Sequence, residues 1–318
     1  MAIHKLLASP ATVRHGMLDA KFLPVLSIQS GDTVVIECVS GSADRLPPAS
    51  SGLAVPEALT AIIEAKLPRL GSHIVTGPIA IRDADPGDML EVRIDDVQLG
   101  SDWGYCQFKP LMGSLPDEFA FADISHIIVD RDFGTCSLPW GPQLQLSPFF
   151  GVMAVAPPPE WGTQSTREPR VFGGNLDNKE LTRGSRLFLP VIVPGANFSV
   201  GDGHGVQGDG EVCTNALEMC LTGTFTFLLH KGGGTSKPLL KWPRVETTTH
   251  FISMGMNADL DLALKQALQE MIEFICDHSS WTRAQAYKTC SLAVDFHVTQ
   301  NVNGEKGVHG MLRKGLLF

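Results

Sequence analysis

The 318-residue sequence has no run of clustered lysine and arginine anywhere, and its 25 basic residues face 34 acidic ones, a formal net charge of −9. Nucleic-acid binding needs a basic face to neutralise phosphates, so polyanions are excluded as general partners. There is no CxxC pair. The seven cysteines are odd in number and scattered, which argues against a secreted disulfide scaffold or a zinc ribbon and for reduced thiols in a cytoplasmic protein. The opening MAIHKLLASPATV holds no apolar stretch long enough for a signal-peptide core, and the apolar runs near 187–193 and 225–229 are short or interrupted, so no membrane partner is expected. The hydrolase signatures GxSxG and HExxH are missing too, and Gly232, Gly233 and Gly234 lead into TSKP rather than the GK[ST] of a phosphate loop.

What the chain has instead is a repeated device in which a turn ending in Gly-Asp or Gly-Ser precedes a hydrophobic run. Gly31-Asp32 precedes TVVIECV, Gly87-Asp88 precedes MLEVRI, and Gly184-Ser185 precedes RLFLPVIV. Pro86 and Gly87 suit the two central positions of a type II turn. In the strands that follow, Val34 and Ile36 alternate with Val35 and Glu37, and Leu90 and Val92 with Glu91 and Arg93, which predicts burial on one face. The stretch 103–170 is rich in proline and aromatics and has no helical period, so Trp103, Tyr105, Trp140 and Trp161 are expected on loops, packed on the core or walling a small pocket. Pro157–Pro159 marks a loop or linker.

Helices are predicted over 56–67, between Pro56 and Pro68, and over 260–276, with apolar residues at 260, 264, 267, 268, 271 and 275 behind Asn257 or Asp259 as caps. A third opens on the Thr282/Gln285 capping-box pattern and runs to Leu292, ahead of the strand AVDFHVTQNV. The expected fold is mainly β, sandwich-like, with a smaller α+β C-terminal part. It divides into a β-rich domain over 1–156 and an α+β domain over 157–318.

The segment NFSVGDGHGVQGDGEVC, from Asn197 to Cys213, sets Asp202, His204, Asp209 and Glu211 among five glycines. Glycine belongs where a chain turns sharply or approaches another group closely, which makes this a candidate site. On an extended chain residues two apart share a face, pairing Asp202 with His204 and Asp209 with Glu211. Such a group suits a divalent metal with one carboxylate left over as a base, but one short segment rarely completes a ligand shell, so ligands from elsewhere are needed. A solvated hairpin end, a structural Ca²⁺ loop, and a Cys213 nucleophile with His204 as its base are the other readings. Gly203, Gly205 and Gly208 also satisfy GxGxxG, by chance, since no βαβ unit surrounds them.

The same segment carries a resemblance. VPGANFSVGDGHGVQGDGEV from Val193 to Val212, FGGNLDNKELTRGSRLFLPV from Phe172, HIVTGPI from His73, DADPGDMLEV from Asp83 and SLAVDFHVTQNVN from Ser291 together resemble the acetamidase/formamidase family across nearly the whole chain. Gly203, Gly205 and Val206 depart from that family's usual residues around the histidine, and Ser40–Pro48 departs from its glycine-glycine-glutamine segment. The resemblance implies an amidohydrolase that cleaves short primary amides, such as formamide or acetamide, to ammonia and a carboxylate. It implies a divalent metal, zinc by preference and calcium as the alternative, held by Asp202, His204 and His73. Glu211 and Asp209 would be the catalytic acids, and Gln207 and Asn175 would orient the substrate. His297 and His309 would reach the site only if the C-terminal strand folds back over it. A homo-oligomer is expected on base rates.

Overall fold

Gly87 has φ of 95° and the Asp88 N–H donates to the Asp85 carbonyl at 3.1 Å, the hydrogen bond and left-handed residue that a type II turn requires. The strand Met89–Leu99 follows at once. These elements come from a computed structural model, which describes residues 1–232 and 239–317; Gly233, Gly234 and the TSKP after them lie outside the described residues. The strand Thr33–Cys38 buries Val34, Ile36 and Cys38 and leaves the alternate residues half-buried, as its period of two predicts. In Met89–Leu99 the alternation fails at Glu91, which is buried. Its two carboxylate oxygens are taken by Arg93 Nε and His230 Nε2, each at 2.7 Å, and pairing of this kind is what lets a carboxylate leave water.

Two large sheets make a sandwich. One has nine strands in the order Ile3–Leu6, Thr33–Cys38, Leu221–His230, Met89–Leu99, Arg186–Pro190, Arg244–Glu246, His250–Asn257, Lys306–Arg313 and Val294–Gln300. The other runs Gly173–Asn175, Phe149–Ala154, Phe198–His204, Ile74–Ile81 and Val13–His15, with Leu26–Ile28 also paired to Ile74–Ile81. Phe150 meets Phe225 at 5.4 Å between ring centroids, and Phe198 meets Phe227 at 5.1 Å, so aromatic edges from one sheet fill the gaps of the other. The chain is mainly β with a small helical part. Residue 156 does not divide it: Thr33–Cys38 pairs with Leu221–His230, Phe149–Ala154 pairs with Phe198–His204, and one hydrophobic core draws on both sides of that position.

The middle of the chain is more ordered than its prolines suggest. Trp103–Phe108, Asp123–Asp130, Thr135–Ser137 and Gln143–Gln145 form a four-stranded sheet. Trp103 and Tyr105 therefore sit on a strand, fully buried, while Trp140 is exposed in a turn and Trp161 is exposed at the end of the short 3-10 helix Pro159–Trp161. Among the described residues no helix is long and apolar enough to cross a membrane.

The helices occupy the expected places. Glu57–Glu64 follows Pro56. Leu260–Asp277 is capped by Asp259, whose side chain accepts from the Leu262 N–H, and Arg283–Ala293 has the full Thr282/Gln285 capping box. The buried face of the long helix is Ala263, Ala267, Met271, Ile272, Phe274 and Ile275, with Leu264 turned to solvent.

Candidate active site

Every residue of the strand Phe198–His204 is buried, and its glycines allow this by close approach. A Cβ on Gly201 would strike the Ile74 carbonyl, and one on Gly203 the Met219 carbonyl. On the neighbouring strand, a Cβ on Gly151 would lie 2.5 Å from Asp177 Oδ1, 2.6 Å from Asp202 Oδ2 and 2.9 Å from His204 Cε1, so that backbone is the bed on which three polar side chains converge. Asp202 and His204 share a face, Oδ2 and Nε2 3.4 Å apart. Asp177 enters beyond Gly173–Asn175, its N–H donating to the Gly151 carbonyl at 3.2 Å, and Glu211 enters from the loop after the strand. Asp177, Asp202 and Glu211 all have positive φ, 46°, 59° and 46°. Left-handed backbone costs a non-glycine residue of order 1–3 kcal/mol and is retained where surrounding structure enforces it, often at functional sites.

These groups form two overlapping triads, Asp177/His204/Glu211 and Asp202/His204/Glu218, each with ligand atoms within 4.8 Å of one another. His204 is fully buried. Its Nδ1–H donates to Gln207 Oε1 at 2.9 Å, while Nε2 lies 3.3 Å from Glu218 Oε1 and 3.4 Å from Asp202 Oδ2 without a hydrogen bond to either. Asp177 Oδ1 and Glu211 Oε2 are likewise buried and unpartnered. Unmatched buried polar atoms are costly, and an imidazole nitrogen among carboxylate oxygens is a donor set suited to a divalent cation, so the residues present fit a metal.

The electrostatics agree. Burial disfavours ionisation of Asp202, but His73 and His204 outweigh it and hold its pKa below the usual range. Burial also opposes a charged His204, yet Glu218 and Asp202 raise its pKa well above the ordinary histidine value. A cation would take the place of that proton. Burial, then the neighbouring Asp202, pushes Asp177 up to about 7. Burial and Asp177 raise Glu211 well above a normal carboxylate. Asp177 and Glu211 thus form a pair that retains a proton near neutral pH. They sit by a cavity of about 280 Å³ whose walls include Tyr105, Asn175, Asp202, Glu211, Glu218 and Asn303.

The model of the acetamidase/formamidase family matches this chain over residues 17–168 and 160–308. The chain belongs to the acetamidase/formamidase family. An acetamidase of Mycolicibacterium smegmatis is 28% identical over 296 residues, 68% of this chain and 71% of that one. A formamidase of Methylophilus methylotrophus is 27% identical over 254 residues, 62% of this chain and 59% of that one. A relative from Schizosaccharomyces pombe is covered over 62% of its length, so this chain spans about three fifths to seven tenths of the curated relatives it matches. The crystal structure of an acetamidase from Bacillus halodurans superposes with a TM-score of 0.84 at 28% identity, covering 98% of each chain.

Within this family member, the residues singled out from sequence do not all converge. Asp202 and His204 do, and His73 joins them, with Nε2 3.9 Å from Asp202 Oδ2 and Nδ1 3.0 Å from Thr166 Oγ1. Asn175 lines the cavity with Oδ1 unpartnered. Gln207, expected to touch substrate, uses both ends of its amide inside the protein: Oε1 holds His204, and Nε2 donates to the Asp177 carbonyl at 2.8 Å. It orients His204 instead. Asp209 does not share a face with Glu211. The extended strand ends at His204, and beyond it Glu211 turns inward while Asp209 faces Lys179 at 3.0 Å and His297 at 3.2 Å.

The C-terminal strand does fold back over the loop: the Gly210 N–H donates to the Thr299 carbonyl, and the Asn301 N–H to the Gly210 carbonyl. His297 and His309 come only as far as Asp209, with which they form a third group of potential ligands. Asn303, two residues past Asn301, donates from Nδ2 to Asp177 Oδ2 at 2.5 Å. Glu218 and Arg45 were missed by sequence reasoning. Glu218 lies in NALEMC, which has no motif, and reaches the site because its N–H and carbonyl both pair with Tyr105 at 2.9 Å.

Proposed function

We propose that the protein is an amidohydrolase that splits a primary amide into ammonia and a carboxylate, with a divalent metal, zinc as first choice, at the His204 centre. The observation that carries the reading is the set of buried, unpartnered atoms His204 Nε2, Asp177 Oδ1 and Glu211 Oε2 beside a polar cavity in a member of this family. His204, Asp202 and Glu218 would hold the ion; His73 supports Asp202. Bound there, the metal supplies Lewis acidity that polarises the amide carbonyl and acidifies water.

The chain's own groups do the rest. Asn175, which lines the cavity, would accept from the substrate N–H through its unpartnered Oδ1. Glu211 takes a proton from the attacking water as a carboxylate and gives one to the departing nitrogen as a carboxylic acid, both forms being accessible to a pair that shares one proton. Asp177 tunes that exchange. Asp209 acts at a distance, by clamping the loop that presents Glu211.

Ammonia release from formamide and acetamide is the test, before and after chelation and on re-addition of Zn²⁺. Activity lost to the chelator and restored by Zn²⁺ is expected. One observation favours a second reading: the Cys106 thiol, 3.7 Å from Cys213 Sγ, draws the Cys213 pKa down to about 6, as a nucleophile would need. His204 Nδ1 is held by Gln207, however, and Nε2 points at Glu218 and Asp202. Activity indifferent to chelation and abolished by thiol alkylation would favour Cys213.

A further inference from the structure

We infer that the amide this site takes carries an anionic end, a carboxylate remote from the amide, which the basic rim of the cavity binds. The inference rests on the amidohydrolase reading and narrows its substrate class.

The cavity is segregated by charge. Its acids, Asp202, Glu211 and Glu218, are all buried. Its bases, Arg45, Lys109 and Arg167, also line it but are half-buried or exposed, so the positive charge stands toward the mouth. A second recess, of about 490 Å³, continues from the first through the shared residues Arg45, Leu70, Gly71, Ser72 and Lys109 and adds His15 and Arg69. The acid lining that recess, Asp44, faces Lys109 at 3.6 Å. In a chain of net charge −9, a mouth of this sign is a local feature that solubility does not require.

Arg45 is held ready. Its Nη1 donates to the Tyr105 hydroxyl at 3.1 Å. Gln107 Oε1, in the amide orientation that satisfies both groups, accepts from Nη2 at 3.1 Å and from Nε at 3.0 Å. These partners are neutral. Among the described residues neither Arg45 nor Arg167 has a carboxylate within ion-pair distance, whereas Arg93, Arg131, Arg170, Arg183 and Arg186 each do. A guanidinium fixed by neutral groups keeps N–H donors for a planar anion and loses little entropy on binding it. Size points the same way: about 280 Å³ nears the roughly 300–1,000 Å³ of pockets for drug-sized ligands, and formamide or acetamide would leave most of it empty.

The substrate that satisfies both ends is a monoamide of a dicarboxylic acid. Its C–N bond breaks, the water oxygen forms the new C–O bond, the water protons end on nitrogen, and the products are a dicarboxylate and ammonium. The test compares kcat/KM for succinamate with that for its neutral diamide, in the metal-loaded native protein and in the Arg167→Gln, Lys109→Gln and Arg45→Lys variants. One charge-assisted contact gives an expected preference for succinamate of at least about tenfold, shrinking in each variant and with added salt. Arg167 is exposed, so its variant avoids the folding risk that Arg45 carries. Equal rates on the two substrates, or a ratio the variants leave unmoved, would overturn the inference and leave the amidohydrolase reading standing. Release of ammonia from no amide at all would overturn both.

Discussion

Three acidic residues with left-handed backbone, Asp177, Asp202 and Glu211, occupy conformations in which glycine or asparagine would be more comfortable. Asp177 adds a titration cost. In metal-free protein burial pushes its pKa up to about 7, from an ordinary aspartate value of 3.8. Between those values the folded state keeps a proton that the unfolded state has lost, so stability falls as pH rises through the window and the destabilisation is complete above about 7. Asp177→Asn cannot titrate and suits the backbone better. Thermal melts in chelator should show the variant more stable than the parent by a margin that widens from pH 5 to pH 8; a constant margin would mean that Asp177 ionises normally. The same residues show how much of the site the sequence discloses. Asp202 and His204 are legible because two residues on one strand meet without help from the rest of the chain. Glu218 is not, because it is brought there by long-range backbone pairing, its own with Tyr105 and that of Leu217 and Met219 with Gly205 and Gly203, and that pairing follows from sheet order. Arg45 lies in Ser40–Pro48, where motif comparison registers a departure but says nothing of what the new residue faces.

At the scale of elements, the turn-then-strand punctuation and the capping signals are readable because Gly87, Asp259 and Thr282 act on their immediate neighbours. Faces are less readable. Leu264 belongs to the apolar stripe by spacing yet points to solvent, while Ala263 and Ala267 are inside, since the helix Leu260–Asp277 approaches its sheet too closely for larger side chains. Gly255 is the other half of that contact: an added Cβ would strike the Ala263 carbonyl and lie 2.6 Å from the Ala267 nitrogen, and Ser253 Oγ donates to the Ala267 carbonyl at 2.7 Å. Gly255→Ala should therefore cost about 1–3 kcal/mol through overpacking, read as a lower urea midpoint at unchanged slope. An unchanged midpoint would show that the helix shifts away freely.

For the molecule as a whole, sheet order is what periodicity could not supply. The break proposed at Pro157 is a local event, whereas the strands it would separate are hydrogen-bonded neighbours. A fragment of residues 1–156 lacks Leu221–His230, the partner of both Thr33–Cys38 and Met89–Leu99, and should show no cooperative thermal transition by near-UV circular dichroism; a sharp transition would establish it as a domain. The pinning of Gly210 between Thr299 and Asn301, and of Asp177 by Asn303, has a further consequence in time. A chain emerging from the ribosome exposes Asp202, His204 and Glu211 well before residues 299–303 are made, so the candidate site stays unassembled until that later segment has followed it out and folded back over Gly210 and Asp177.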